Sequence, residues 1–191
     1  MPRDTDLHKA AYKGDTGIVE GLLDDGVDVN IRGAANRTPL HRAVGEGHED
    51  IVQLLMERGA NIEIRDGSGR TPMHWAAVSG SVVTARLLVE KDADVNVVTK
   101  SGSTPLHMAA EGGKLDFVEF LLEHEANIEL REGVAGDGKT AYELAKEKKH
   151  KEIMQLLKPA GAGCLPGLNC TMPDWDEIKE KCNCSCLRRS R

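Results

Sequence analysis

Aromatic residues are scarce in this sequence, and cysteine is absent from most of it. Phe, Trp and Tyr together make up 3% of the 191 residues, so any core must be built from aliphatic side chains and methionine. All five cysteines lie between positions 164 and 186, and residues 1–163 contain none. This break in composition marks a second region at the C-terminal end of the chain.

Long apolar runs, an apolar leader and a basic stripe are also missing. Without a long apolar run, no segment is a candidate for a membrane-spanning helix. The polar residues 1–6 do not resemble a secretory signal, so we expect a cytoplasmic protein, with the nucleus or a membrane surface as alternatives. The net charge is −6, and an acidic chain without a basic stripe argues against nucleic acid as its main partner.

What the sequence does contain is a repeat of 33 residues. The tetrapeptides that begin at Thr5, Thr38, Thr71 and Thr104 read TDLH, TPLH, TPMH and TPLH. A degenerate fifth unit begins at Thr140, 36 residues further on. Two small residues and a glycine follow in phase in the first four units, and an apolar patch recurs in all five. Self-similarity at this period indicates a stacked array of units.

Each unit carries the local signals of two short helices. Threonine is a good helix N-cap, and proline suits the first helical position, where no N–H is needed. Gly14, Gly47, Gly80 and Gly113 permit the positive φ that ends the first helix of a unit. Residues 27–30 alternate apolar and polar side chains, which is typical of hairpin arms. We expect five stacked units to share one core, with more polar units at the two ends.

The recurring string TPLH…AA…G…LL…GADVN resembles the ankyrin repeat family, and the resemblance covers residues 1 to about 158. It implies an all-α repeat solenoid of helix–turn–helix units with β-hairpin finger loops. Residues 159–191 are expected to be a separate, flexible, cysteine-rich tail. The expected repeats span residues 5–37, 38–70, 71–103, 104–139 and 140–158.

The stretch GVAGDGKT, from Gly133 to Thr140, matches the signature of a nucleotide-phosphate loop. A strand-like stretch, residues 127–130, precedes it and a helix-like stretch follows. In register, however, Gly138, Lys139 and Thr140 are ordinary repeat residues, and the first glycine belongs to a finger lengthened by three residues. A stacked array also lacks the deep turn and the acidic Mg²⁺ partner that the motif needs. A nucleotide-binding enzyme that uses Lys139 is therefore the unfavoured alternative.

Four histidines occupy the same position in successive repeats and invite a metal hypothesis. Neighbouring repeats lie about 10 Å apart, whereas zinc ligands lie about 2 Å from the ion, so these side chains cannot share one ion. The resemblance instead implies structural histidines that hydrogen-bond across the turn. No catalytic pair stands out, and an open solenoid offers a groove rather than a closed pocket, so we expect no enzyme activity and no cofactor. The four are His8, His41, His74 and His107.

The resemblance implies that the chain binds other proteins through its finger tips and inner helix face, and we expect a monomer. Val78 is the most informative position, because an apolar residue at an otherwise polar surface position suggests a contact. Trp75 lies on the same helix, where packing between repeats is the favoured interpretation. The residues expected to contact a partner are Tyr12, Lys13, Arg37, Glu46, Arg70, Val78, Ser79, Lys100, Ser103 and Glu111.

Asn30 and Asn96 each follow Asp-Val, in the first and third repeats. In the resembled family such asparagines can be β-hydroxylated by an oxygen-sensing dioxygenase. Glu63 and Glu129 stand at the equivalent positions of the other repeats and could not take this modification. The favoured interpretation is structural, since an asparagine in a turn satisfies backbone groups.

The tail ends with three cysteines beside basic residues, Cys182, Cys184 and Cys186. A disordered tail is one interpretation, and reversible S-acylation, which would hold the chain on a membrane, is another. Thiolate binding of zinc or copper(I) is a third. The sequence as a whole predicts a non-catalytic adaptor, scaffold or regulator that binds proteins, and an acylated, membrane-tethered adaptor is the first alternative.

Overall fold

The chain folds as a stack of helix pairs. A computed structural model describes residues 3–158, and within them it contains ten α-helices joined by turns and loops. We call the first helix of each pair the inner helix and the second the outer helix. The inner helices are α1 (Asp6–Lys13), α3 (Pro39–Glu46), α5 (Pro72–Ser79), α7 (Pro105–Glu111) and α9 (Ala141–Lys148); the outer helices are α2 (Thr16–Asp24), α4 (Glu49–Glu57), α6 (Val82–Val89), α8 (Leu115–Glu123) and α10 (Lys151–Leu156).

Every inner helix begins with the same hydrogen-bonded cap. In the fourth repeat, the backbone N–H of Thr104 donates to His107 Nδ1 at 3.2 Å, and the N–H of His107 donates back to Thr104 Oγ1 at 3.4 Å. This reciprocal capping box occurs in all five repeats, and Glu143 takes the place of histidine in the fifth. The Thr-x-x-His string is therefore a local signal that starts a helix.

Glycine ends the inner helices of the first three repeats. Gly14, Gly47 and Gly80 cap α1, α3 and α5 with φ between 79° and 85°, a left-handed conformation that glycine adopts without strain. In the fourth repeat the left-handed residue is Gly113, one position beyond the helix cap. In the fifth it is Lys149, with φ 64°, where a side chain makes the same conformation costly.

The ten helices form two layers. Each inner helix packs on the inner helices of neighbouring repeats, and the outer helices stack behind them. Fully buried alanines, including Ala43, Ala76 and Ala109, let neighbouring inner helices approach closely. One hydrophobic cluster runs through all five pairs, so each repeat stabilises the next.

The first repeat leaves the aliphatic side chain of Ile18 uncovered. Ile18 on α2 is 54% exposed, whereas its equivalents Ile51, Phe117 and Ile153 are at most 2% exposed. Because this position is buried in the fifth repeat and exposed in the first, it is the preceding repeat that covers it. The expected polar character of the first repeat is therefore incomplete at Ile18.

The finger loops between repeats are turns rather than the expected β-hairpins. Each loop is closed by a backbone hydrogen bond across it, such as that from Asp66 N to Arg70 O at 2.9 Å. Across residues 3–158 the only β-type pairing is an isolated antiparallel bridge between Arg131 and Thr140. Neighbouring fingers are nevertheless tied together, because the N–H of Gly67 donates to the carbonyl of Ala35 at 2.7 Å and the pattern recurs along the stack.

The segments expected to be extended, residues 27–30 and 127–130, are not strands and contain turns at residues 29–30 and 128–129. The cause is local. Asp28 Oδ1 accepts the N–H of Asn30 at 2.9 Å, and Asn127 Oδ1 accepts the N–H of Glu129 at 2.9 Å. An Asp or Asn side chain that bonds the backbone two residues on competes with the ladder of a strand pair.

Candidate interaction surface

A cleft of about 670 Å³ lies between the finger loops and the inner helices, and we call it the groove. The finger loops of the second to fourth repeats contribute polar side chains, among them Arg70 and Lys100. The inner helices α5, α7 and α9 contribute Val78, Met108 and Leu144. The groove is open along its length, so it can accept a segment of another molecule but does not enclose one.

Half of the ten residues expected to contact a partner line the groove: Arg70, Val78, Lys100, Ser103 and Glu111. They come from three successive repeats, and the stacking of the repeats places them side by side. The repeat register therefore brings residues distant in sequence into one surface.

The other five expected contact residues lie elsewhere. Tyr12, Lys13 and Glu46 are exposed on α1 and α3, outside the lining of the groove. The hydroxyl of Ser79 donates to the carbonyls of Ala76 and Val44, at 3.1 and 3.3 Å, so it ties α5 to α3. Arg37 is engaged with an aromatic ring beside the groove.

That ring belongs to Trp75, which is half-buried on α5. The guanidinium carbon of Arg37 lies 4.3 Å from the ring centroid, and that of Arg70 lies 5.4 Å from it. The indole Nε1–H donates to Asp66 Oδ2 at 3.2 Å. The ring also packs against Gly45, where an added Cβ would come within 3.3 Å of it. Trp75 thus fixes two arginine side chains beside the groove through cation–π contacts.

Two carboxylates, those of Asp66 and Asp4, hold the loops around this cluster. Asp66 is buried, and its Oδ1 accepts the N–H groups of Ser68 and Arg70 at 2.8 and 2.9 Å. Asp4 accepts the N–H of Ala34 at 2.8 Å and pairs with Arg42 at 2.5 Å. Both carboxylates therefore use much of their hydrogen-bonding capacity to shape finger loops.

The positive charges of the neighbouring Arg37 and Arg42 side chains are only partly neutralised by carboxylates. Arg37 Nε lies 3.9 Å from Asp66 Oδ2, which is too long for a hydrogen bond. Within the described part of the chain, the buried Nε atoms of Arg37 and Arg42 have no hydrogen-bond partner. Burial, and next the charge of Arg42, lower the pKa of Arg37. The cluster carries an excess of positive charge that its own carboxylates do not neutralise.

Sequence reasoning missed several residues of this surface. Met108 and Leu144 line the groove and occupy the same repeat position as Trp75, three residues before the position of Val78. Residues three apart share a helix face, so the register could have identified them. Asp66 gave no such signal, because its role depends on the folded path of a finger loop.

The four repeated histidines are structural, as the family resemblance implies. In each, Nδ1 accepts the N–H of the capping threonine and Nε2 donates to a carbonyl of the next finger; His41 Nε2, for example, donates to Arg70 O at 3.2 Å. This pattern requires the neutral ring with hydrogen on Nε2. Burial lowers the pKa of His41 and of His74 to about 4. Burial also lowers the pKa of His8 and of His107.

The phosphate-loop string is a finger loop. The N–H of Gly133 donates to Ser101 O at 2.7 Å, and that of Gly138 donates to Glu132 O at 2.9 Å, so these amides face carbonyls of the scaffold. Lys139 Nζ bonds to Glu147. The preceding segment is a turn instead of the expected strand. The geometry therefore differs from the strand–loop–helix cradle that binds phosphates.

Asn30 and Asn96 link adjacent repeats. Asn30 Oδ1 accepts the N–H of Asn61 at 2.8 Å, and its amide donates to Gly59 O at 3.3 Å. Asn96 makes the same two contacts one pair of repeats further on. Hydroxylation of these residues stays a prediction, and their side chains have a structural role.

Cys182, Cys184 and Cys186 lie outside the described residues. Between residues 3 and 158, no helix is both long and apolar enough to cross a membrane. In the same range no three His, Cys, Asp or Glu side chains form a group that could hold a metal ion.

Comparison with known proteins agrees with the repeat pattern and the helix pairs. Residues 7–99 and 93–166 match a family model described as ankyrin repeats (3 copies). These matches span most of the sequence, and the chain belongs to the ankyrin repeat family. No curated protein matches the chain. Ankyrin repeats are generally protein–protein interaction modules, and their fold is typically non-catalytic.

Proposed function

We propose that this ankyrin repeat protein is a non-catalytic adaptor, scaffold or regulator that holds a partner protein in the groove. The observation that carries the proposal is the exposure of Val78, which lines the groove with 44% of its surface open to solvent. Covering an aliphatic side chain in an open cleft contributes favourable free energy to binding.

The surroundings of Val78 suit a protein interface. Met108 on the neighbouring inner helix is half-buried in the lining, and charged or hydroxyl-bearing side chains of the fingers surround the two apolar residues. A small apolar centre with a polar rim is the usual anatomy of a protein–protein interface. A groove of this size accepts a few side chains of a partner segment.

The test is affinity capture on the immobilised full chain, with bound proteins identified by mass spectrometry. The variant Val78→Glu places a charge in the groove, and Val83→Glu is its matched control. Val83 is 47% exposed on the outer helix α6, so both changes replace an equally exposed valine. Neither is expected to change the free energy of unfolding by more than about 0.5 kcal/mol.

We expect proteins captured by the unsubstituted chain and by Val83→Glu to be lost with Val78→Glu. Equal capture by both variants would show that partners bind elsewhere on the molecule. Thermal unfolding of each variant confirms that the fold is intact before capture is compared.

A further inference from the structure

The charges beside the groove are unbalanced in a way that the fold does not require. Arg37 and Arg70 lie beside the Trp75 ring, and Lys100 lines the groove from the third finger. Arg42 lies on α3, the second inner helix, in a chain whose net charge is −6. Arg42 is paired with Asp4, and Arg37 faces Asp66 only at 3.9 Å. Lys100 Nζ donates to the carbonyl of Gly67, which leaves its charge uncompensated.

Arg70 is the most available of these cations. It lines the groove, and its guanidinium is positioned over the face of Trp75. Within residues 3–158 it forms no ion pair with a carboxylate. A guanidinium already held by an aromatic ring loses little side-chain entropy when it binds a carboxylate in its two-pronged geometry.

The opposite end of the groove has a different charge. Glu111 pairs with Lys148 at 3.2 Å, and Glu132 is within hydrogen-bonding distance of the Ser103 hydroxyl at 3.4 Å. Positive charge therefore dominates near the second and third fingers, whereas the opposite end holds the Glu111–Lys148 pair and the carboxylate of Glu132. Val78 and Met108 lie on the inner helices between these two ends. The two ends of the groove therefore differ in charge, so a bound segment has a preferred orientation.

We propose that the groove binds a segment of a partner protein that carries a carboxylate side chain next to an apolar one. The carboxylate binds Arg70 beside Trp75, and the apolar side chain covers Val78 and Met108. This inference rests on the proposed function, because it names the chemistry of the partner that the groove holds. Nucleic acid fits this surface less well, since Glu111 and Glu132 in the groove lining would repel a continuous polyanion.

The first experiment selects peptides from a random display library on the full chain, with counter-selection on the Val78→Glu variant. Enrichment of acidic and apolar residues in neighbouring positions is the expected result. Groove-dependent enrichment without acidic residues would overturn this inference and leave the proposed function standing. If Val78→Glu and Val83→Glu retain the same peptides, no enrichment depends on the groove. That result would overturn both this inference and the proposed function.

The second experiment measures the affinity of one selected peptide by fluorescence anisotropy. Arg70→Gln should weaken binding about tenfold, since one charge-assisted hydrogen-bonded pair is lost. Arg86→Gln is the matched control, because the Arg86 guanidinium lies 5.7 Å from the Phe120 ring on the outer layer, much as Arg70 lies beside Trp75. It should leave the affinity unchanged.

A peptide with glutamine in place of its acidic residue completes a double-mutant cycle with Arg70→Gln. The glutamine peptide should bind both proteins equally, and the affinity of the acidic peptide should fall as salt rises. If Arg70→Gln weakens the acidic and glutamine peptides by the same factor, Arg70 acts on the shape of the groove and the inference fails. A single-stranded oligonucleotide that binds more tightly than the acidic peptide would contradict it as well.

Discussion

Lowering the pH from 7 to 5 should destabilise this protein strongly, because its fold requires neutral histidines. His41 and His74 are buried, each accepts a backbone N–H at Nδ1, and burial lowers the pKa of each from 6.5 to about 4. In the unfolded chain both have the ordinary value, so they take up protons first as the pH falls below 6.5. Proton uptake by the unfolded state lowers the free energy of unfolding.

The size of the effect follows from the two pKa values. At pH 5 an unfolded histidine is mostly protonated and the folded one is mostly neutral, which costs about 2 kcal/mol for each residue. His41 and His74 together contribute about 4 kcal/mol, a large part of a typical domain stability of about 5–15 kcal/mol. The loss develops from pH 6.5 downwards and levels off below pH 4, where the folded histidines are protonated too. His8 and His107 act in the same direction.

Urea unfolding of the full chain, followed by circular dichroism at pH 7, 6 and 5, measures this effect. With an m-value of about 2 kcal/mol/M, the midpoint should fall by about 2 M between pH 7 and 5. Carboxylates with ordinary pKa values stay mostly ionised above pH 5 and contribute little in this window. In His41→Gln, the pH-dependent loss should shrink by about 2 kcal/mol, whatever the variant's stability at pH 7. A midpoint that stays constant down to pH 5 would refute the neutral, buried assignment.

Three further predictions concern stability, and each is measured by chemical unfolding at pH 7. Ile51→Ala should lower the free energy of unfolding by about 2–4 kcal/mol because the isoleucine side chain is fully buried. Ile18→Ala, at the same repeat position but exposed, should lower it by less than about 1 kcal/mol. Equal losses would mean that the preceding repeat does not cover this position. Lys149→Gly should raise the free energy of unfolding by about 1 kcal/mol, because φ is 64° at this residue and glycine adopts that conformation without strain. A loss of stability would show that contacts of the lysine side chain contribute more than the backbone strain costs. Gly102→Ala should lower the free energy of unfolding more than Gly26→Ala, although both glycines have positive φ. An added Cβ at Gly102 would meet the Gly133 carbonyl oxygen, whereas one at Gly26 would meet nothing. Similar losses would contradict the tight contact between the fingers.

The helices of this fold could be predicted from the sequence because their signals are local. A capping threonine such as Thr71, the histidine three residues later and the glycine that follows the helix all lie within ten residues. The 33-residue period then repeats the same signals, so a helix that is ambiguous in one repeat can be assigned from its equivalents in the others. The same redundancy identified GVAGDGKT as a repeat segment with a longer finger.

The segments at residues 27–30 and 127–130 were wrongly predicted to be extended because two local rules competed there. Alternating apolar and polar residues favoured strands, while Asp28 and its equivalents favoured turns. The side-chain bond to the backbone two residues on prevailed in the first four repeats. The regular recurrence of Asp or Asn at that position was the signal that could have decided between them.

The lining of the groove was only partly predictable, for a different reason. Repeats with the same backbone differ at one position of the inner helix, which is occupied in order by Lys9, Arg42, Trp75, Met108 and Leu144. Stacking turns this series along the chain into a change of chemistry along the layer of inner helices, from cationic to aromatic to aliphatic, and the aliphatic end lines the groove. Reading the register gives the order of these side chains, but only the folded loops show that Asp66 holds Trp75 and leaves Arg70 without an ion-pair partner among residues 3–158. Specificity in such a scaffold therefore lies in the differences between repeats, whereas stability lies in what the repeats share.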